Sequence, residues 1–352
     1  MREGLSLPYT PRHMNTDLIS FLKKQSHYVP VGDIEEKLKI SRDAIFTDVE
    51  ALIEQGYSIE FHPYLGVKLI DIPDRLLKHE IREDLNTKII GRKLSIHDQL
   101  SSTNETAWEL VEADDDLKDG TVILADSQMR GRGRMGREWH SAPGLGLWMS
   151  VVLRVAVPPD RVAFLTGMAS LAVANMLQQF IHLPAEIKWP NDVIIRGRKV
   201  CGILVEARSN VPDTFVLGIG LNVNQLRTDF PESLRETATS LRLERPGSRP
   251  LNRVRVLRPL LFYLERVYDL VRKKKWDKLA RAWSEFVHMG GKHVRLSRAG
   301  EEIEGTIIRV HPSEGITLRI DEKELTISAE SVSNVREVQP PKPETKATES
   351  HG

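Results

Sequence analysis

The sequence predicts an α+β chain of three folded parts followed by a polar tail, and three observations lead there. Residues 15 to 70 read as three short amphipathic helices and then two alternating strands. Residues 80 to 290 mix apolar strand-like runs with one helix that is apolar on nearly every side. Residues 291 to 336 are short alternating stretches divided by Gly300, Gly305 and Gly315, which reads as a small antiparallel barrel.

Whole-chain properties exclude several classes. Fifty Lys and Arg nearly balance 49 Asp and Glu, so no global field draws nucleic acid or a membrane, and any anion site is local. A single cysteine, Cys201, rules out disulfides within the chain and fits a reducing compartment; among apolar neighbours it reads as a small buried residue. Residues 1 to 15 lack the apolar run of a signal peptide, and no run is read as membrane-spanning, so a cytoplasmic protein is expected. The histidines are scattered without metal-ligand spacing.

In the first part, Asn15 or Thr16 caps a helix carrying Leu18, Ile19 and Leu22, and a second helix follows through Ile34 and Leu38. Ser41 caps a third, with Ala44, Ile45, Val49 and Leu52 on one face and Gly56 at its end. Tyr57 to Phe61 and Val67 to Ile70 then form a hairpin. This is the order of a winged helix-turn-helix, with 41 to 55 as the recognition helix and Ser41, Arg42 and Thr47 as its DNA-facing residues. Yet residues 1 to 65 hold seven basic and ten acidic side chains, so a protein-interaction or vestigial domain fits the charges as well.

A linker that becomes a helix (71 to 84) and a strand (93 to 97) lead to Ser102-Thr103-Asn104-Glu105, which has the spacing of a capping box. After the strand at 121 to 125 comes Arg130-Gly131-Arg132-Gly133-Arg134-Met135-Gly136-Arg137, with four arginines and three glycines in eight residues. Gly131-x-Gly133-x-x-Gly136 formally satisfies a dinucleotide fingerprint, but turn residues and a strand (147 to 155) follow where that motif needs a helix. No Gly-Lys-Ser/Thr completes a P-loop either. The run reads as an anion-binding loop whose charge comes from arginine forks, the alternative being a solvated RNA-binding segment. Beyond it, Pro158-Pro159 opens the all-round apolar helix, which runs to about Phe180. Ile187-Lys188-Trp189-Pro190-Asn191-Asp192-Val193-Ile194-Ile195 and Val200 to Ala207 read as two strands of one hairpin, interrupted by polar Lys188, Asn191, Asp192 and Lys199. Phe215 to Asn224 is a further strand, and 252 to 288 supply two amphipathic helices. Composition predicts a disordered tail over 337 to 352.

Five blocks together resemble the biotin–protein ligase family: Ser102-Thr-Asn104, Gln128 to Trp139, Lys188 to Asp192, Lys199 to Glu206 and Gly220 to Asn224. With the N-terminal helix-turn-helix, the chain is similar to the bifunctional branch, in which ligase and biotin operon repressor share one chain. The resemblance implies a central mixed sheet of the class II aminoacyl-tRNA synthetase/biotin ligase type (80 to 290) and an SH3-like C-terminal barrel (291 to 336). It implies adenylation of biotin by ATP with Mg²⁺, transfer of the biotinyl group to a lysine of a biotin carboxyl carrier domain, operator DNA as a second partner, and a homodimer formed through the central sheet. By resemblance, Arg132 and Lys199 are catalytic. Biotin falls to Ser102, Thr103, Asn104, Gln128, Gly131, Arg132, Gly133, Arg134, Lys199 and Gly202. ATP falls to Arg132, Arg134, Trp139, Lys188, Asn191, Asp192 and Asn222, with Asp192 as the Mg²⁺ ligand. Ser101, Met129 and Arg130 depart from the commoner family residues, and none is a matched contact. A lipoate–protein ligase and a non-catalytic regulator that senses biotinyl-AMP are the alternatives.

Overall fold

The computed structural model describes residues 16–298 and 300–339; Asn15 and the predicted tail beyond Gln339 lie outside them. The chain divides into two compact units, one ending at Arg75 and one beginning at Leu76.

In the first unit, α1 (Thr16–Leu22), α2 (Val31–Leu38) and α3 (Arg42–Glu54) bury Leu18, Ile19, Leu22, Ile34, Ile45 and Leu52. The Ser41 hydroxyl caps α3 by accepting from Ala44 N. β1 (Ser58–His62) and β2 (Gly66–Asp71) pair antiparallel as the wing. Gly66 has φ +98°, and a Cβ there would stand 1.9 Å from Val29 O, so only glycine fits where Val29 bridges to Val67. The predicted helix-turn-helix order is present.

The second unit begins with α4 (Lys78–Arg82) and centres on a seven-stranded mixed sheet. Its strands are β3 (Leu94–Leu100), β4 (Val122–Gln128), β5 (Gly146–Arg154), β6 (Ala185–Lys188), β7 (Asp192–Ile195), β8 (Arg198–Arg208) and β9 (Val211–Asn222), in the order β3-β4-β5-β9-β8-β7-β6. Only β3 and β4 run parallel. Strand alternation sends Leu147, Met149, Val151 and Leu153 to one face, where α6 (Ala163–Met176), α8 (Arg253–Arg272) and α9 (Trp276–Ser284) complete the main core. On the other face Val152 and Val216 meet α5 (Thr103–Ala113) through Ala107, Trp108 and Val111.

Two sequence expectations change. The block from Ile187 to Ile195 is not one strand: Trp189-Pro190-Asn191 turns the chain between β6 and β7, because Pro190 has no N–H to give a ladder. The helical run Pro159–Ile181, counted through its 3₁₀ and π turns, does reach membrane-spanning length and apolarity. Burial explains its composition: Phe164, Leu165, Met168, Leu171 and Met176 are all inside the unit, and Ser170 accepts from Trp283 Nε1 at 3.1 Å.

The C-terminal strands β10 (His293–Arg298), β11 (Glu301–His311), β12 (Gly315–Ile320), β13 (Lys323–Ile327) and β14 (Val332–Glu337) form an antiparallel sheet ordered β13-β12-β11-β10-β14. Val294, Leu296, Ile316 and Leu318 join the main core, so this β domain is continuous with the central one. Short α7 (Leu241–Glu244) lies between β9 and α8.

Glu265 on α8 holds the chain entering the sheet, accepting from the backbone N–H groups of Lys88, Ile89 and Ile90 at 2.6, 2.8 and 2.9 Å. Glu265→Ala leaves these donors without their carboxylate and is expected to cost about 2 kcal/mol. Thermal unfolding should show it as a fall of about 5 °C in Tm; an unchanged Tm would refute the anchoring role.

Candidate active site

Alternation on the α5 face of the sheet produces a recess. In register, Trp148 faces Gly220 and Ser150 faces Gly218 across β5 and β9, while Gly202 on β8 faces Gly220. Three neighbouring positions on one face therefore carry no side chain. Asn104 and Trp139 occupy the room this leaves: a Cβ at Gly218 would lie 2.5 Å from Asn104 Oδ1, one at Gly220 2.4 Å from Trp139 Nε1, and one at Gly202 2.7 Å from Trp139 Cζ3. The cavity above has a volume of about 780 Å³.

At one end stand Ser102, Thr103 and Asn104, at the N-terminus of α5, with Gln128 beside them. Thr103 donates to Gln128 Oε1 from its backbone N (2.8 Å) and its hydroxyl (3.1 Å). Gln128 Nε2 donates to Ser141 Oγ at 2.8 Å, and Ser141 Oγ to Trp139 O at 3.1 Å. The predicted capping box does not form. Ser102 makes no side-chain cap bond, and Glu105 turns away to accept from Arg132 Nη2 at 3.0 Å. The Glu105 carboxyl is held below its usual range by a hydrogen bond from Ser101 and by the charges of Arg132 and Arg130, against the opposing effect of burial.

The glycine–arginine segment contributes Arg132, Gly133, Arg134, Arg137 and Trp139 to the lining. It holds a 3₁₀ turn at Arg134–Gly136 and no α-helix, as its sequence predicts. Arg134 reaches the turn into β14, donating to Ala329 O at 2.5 Å and Val332 O at 3.4 Å, and lies 3.5 Å from Asn191 Oδ1. Burial lowers the pKa of this guanidinium from its usual value, and Asp192 opposes the shift. Gly131 alone of the predicted biotin- and ATP-binding residues is absent from the lining; it packs behind Trp139, where a Cβ would stand 2.3 Å from Trp139 O.

Opposite lie Lys188, Asn191 and Asp192 from the β6–β7 turn and Lys199 and Gly202 from β8. Lys199 Nζ is 2.7 Å from Asp192 Oδ1 and 5.1 Å from the Trp139 ring centroid. That oxygen accepts no hydrogen bond from the described residues, so the contact is an ion pair only. Asn222, 4% exposed, donates to Thr239 O (3.0 Å) and accepts from Gln225 Nε2 (3.2 Å). The lining holds six Lys and Arg against two carboxylates, a strongly positive pocket in a chain of net charge +1. Ser41, Arg42 and Thr47 are exposed on α3 in the other unit, where Thr47 Oγ1 donates to Asp43 O at 3.0 Å.

The biotin/lipoate A/B protein ligase family model matches residues 96–224, and a helix-turn-helix domain model matches 15–68. The bifunctional ligase/repressor BirA of Bacillus subtilis is 34% identical over 308 residues, spanning 87% of this chain and 93% of that protein. The chain belongs to the biotin–protein ligase family. It is also 39% identical over 178 residues to the biotin–[acetyl-CoA-carboxylase] ligase of Mycobacterium tuberculosis, covering 48% of this chain and 64% of that one. Among solved structures, the Aquifex aeolicus biotin protein ligase in complex with biotin and ATP superposes with a TM-score of 0.58 at 27% identity, over 70% of this chain and all of that one.

Sequence reading missed three contributors to this ligase-family cavity. Ser150 is fully buried beneath Asn104; the signal was a lone hydroxyl in the apolar run 147 to 153. Val332, Asn334, Val335 and Arg336 reach the lining from the C-terminal sheet, 200 residues from the arginine loop, and no spacing announces that. Glu244 is the third. It accepts from Arg196 Nη1, Arg198 Nη2 and Thr239 Oγ1, each at 2.6 Å. The segment it holds bonds Lys199 on both sides, through Lys199 N to Thr237 O and Thr239 N to Lys199 O, both 2.8 Å. Because the Glu244 side chain is 1% exposed, Glu244→Ala is expected to destabilise the unit by about 3 kcal/mol. Denaturant unfolding measures this, and a loss below about 0.5 kcal/mol would contradict the buried ion-pair role.

Proposed function

We propose that this chain is an ATP-dependent biotin–protein ligase carrying a helix-turn-helix repressor domain. One observation carries the reading: a single cavity joins an amide-and-hydroxyl end, suited to a neutral ring, to a cationic end suited to carboxylate and phosphate. In the first step a biotin carboxylate oxygen attacks the α-phosphorus of ATP; the P–O bond to pyrophosphate breaks and biotinyl-5′-AMP forms. In the second, the neutral ε-amine of a carrier-domain lysine attacks the acyl carbon, AMP leaves with the bonding electrons, and the amine loses a proton. Two anions must meet in the first step, so fixed positive charge is needed where they react.

Arg132 and Lys199 act at the reacting centre in this reading. Ser102, Thr103, Asn104 and Gln128 take the ureido ring, and Gly133, Arg134 and Gly202 border the biotin chain and carboxylate. Trp139, Lys188, Asn191 and Asp192 face the nucleotide, and Asn222 anchors its wall. Gly131 supports Trp139. Among the described residues no cluster of three acidic, histidine or cysteine side chains could cage a metal. Asp192, a hard-oxygen donor whose Oδ1 is paired only with Lys199 Nζ, would be the residue to hold a Mg²⁺ arriving with the nucleotide. Bound there, Mg²⁺ supplies charge neutralisation on the phosphates.

The carrier is a biotin carboxyl carrier domain, following the acetyl-CoA-carboxylase acceptor in the relative's name. Domain limits of 15–70, 80–290 and 291–336, closure of the C-terminal sheet as an SH3-like barrel, cytoplasmic location and a homodimer through the central sheet belong to the same reading. Incubation of the protein with biotin, Mg·ATP and a carrier domain should raise the carrier's mass by one biotinyl group. Arg132→Ala and Lys199→Ala should each slow biotinyl-AMP formation by about 10²–10³. Lipoate competing as well as biotin, or no mass change, overturns the assignment.

Operator binding by α3 is the second activity, supported by the helix-turn-helix match and the repressor named in the B. subtilis relative. Its acidic balance leaves few phosphate contacts, so the log–log salt slope of operator affinity should be shallow, about −4 or less steep. Equal affinity for operator and random DNA, with and without biotinyl-AMP, removes this part of the function.

A further inference from the structure

A regularly alternating β8 would point Lys199 into the core. Gly202 lies on the cavity face, beside Trp139, and an odd number of residues along a regular strand reverses the face. A β-bulge corrects the count. Against β7, Cys201 pairs with Val193 and Lys199 with Ile194, so Val200 is the extra residue. Val200 and Cys201 both enter the main core. Lys199 is thereby turned to the side of Gly202, where a Cβ would stand 3.2 Å from Lys199 Cε. The bulge lies near an end of the ladder, since β9 pairs with β8 from Cys201 to Arg208. At Lys199 the place of β9 is taken by residues 237–239, through Lys199 N to Thr237 O and Thr239 N to Lys199 O, both 2.8 Å.

One buried carboxylate ties these pieces together. Glu244 Oε2 accepts from Arg196 Nη1, and Oε1 from Arg198 Nη2 and Thr239 Oγ1, each at 2.6 Å. Arg196 lies in the β7–β8 turn and Arg198 begins β8, so both sit just ahead of the bulge. Glu244 stands on α7, which is itself fixed past the end of β9: Ser240 Oγ donates to Gln225 O at 2.7 Å and Arg242 N to Val223 O at 2.8 Å. We propose that Glu244 is a positioning residue for Lys199: by joining Arg196, Arg198 and Thr239 it holds the bulge that turns the Lys199 ammonium into the cavity. The proposal rests on the ligase reading above, in which Lys199 acts at the reacting centre. Glu244 does not line the cavity and acts through the lysine. Without its charge, two guanidiniums at the entry to β8 lose their common counter-ion and repel, and the strand end is released.

Single-turnover formation of biotinyl-AMP by the full-length protein, at saturating biotin and Mg·ATP, reads the placement of Lys199. Glu244→Gln keeps the side-chain volume and removes the charge. It is expected to slow this step about tenfold while changing the ATP dissociation constant by no more than about twofold. The deciding comparison is the same substitution in Lys199→Ala. With the lysine gone a positioning residue has nothing left to place, so the double variant should be slower than Lys199→Ala by less than about twofold. Loosened packing would instead lower the rate by the same factor in both backgrounds. That result, or an unchanged rate in Glu244→Gln alone, overturns the proposal. Thr239→Val, which leaves both arginines on Glu244, runs the same cycle with an expected loss of about fivefold. It decides alone, by the same two criteria, if Glu244→Gln does not fold. Wild-type protein that forms no biotinyl-AMP overturns the ligase reading itself.

Discussion

Three absent side chains on one face of one sheet make the rest of the site. Strand alternation would ordinarily line that face with bulk, as Val152 and Val216 do farther along. At Gly202, Gly218 and Gly220 the backbone is bare, and Asn104 and Trp139 lie on it at distances no Cβ permits. Helix α5 can then approach with its N-terminus over the sheet, and Ser150, which would be an isolated polar group under a larger neighbour, acquires two partners. The cavity follows from the register of β5, β8 and β9.

Above that floor the charges are provisionally engaged. Arg132 pairs with Glu105, Arg134 donates hydrogen bonds to the carbonyls of Ala329 and Val332, and Lys199 stands against Asp192. For Arg134 a phosphate or carboxylate is the stronger partner, since hydrogen bonds between two ions exceed those to neutral carbonyls. A segment with three glycines in eight residues can rearrange to make that exchange, which a helix anchored at the same point could not. The mixed anhydride formed here hydrolyses in water, so a covering that orders around its ligand suits the chemistry.

Local signals in the sequence identified the elements well. The three helices and wing, the core helix and the glycine-rich turn without a helix all appear where periodicity and turn chemistry put them. Local signals failed where tertiary contacts competed. Ser102 and Glu105 have the spacing of a capping box, but Gln128 takes the Thr103 N–H and Arg132 takes the Glu105 carboxylate. Contacts distant in sequence were illegible: Glu244 closing on Arg196 and Arg198, or Val332, Asn334, Val335 and Arg336 lining the cavity, leave no periodic trace.

Glu244 also shows how the protein keeps a mobile-looking wall in register. Residues 226–240 contain no long element, only two 3₁₀ turns, yet they border the cavity at Phe230, Leu234, Thr237 and Ala238. A segment of that kind would ordinarily be free to drift. Here its far end is pinned by a buried carboxylate, its backbone pairs with both sides of Lys199, and Asn222 binds Thr239 O from below. The wall is thus tied to the sheet beside Lys199 by backbone and side-chain bonds at Thr237 and Thr239.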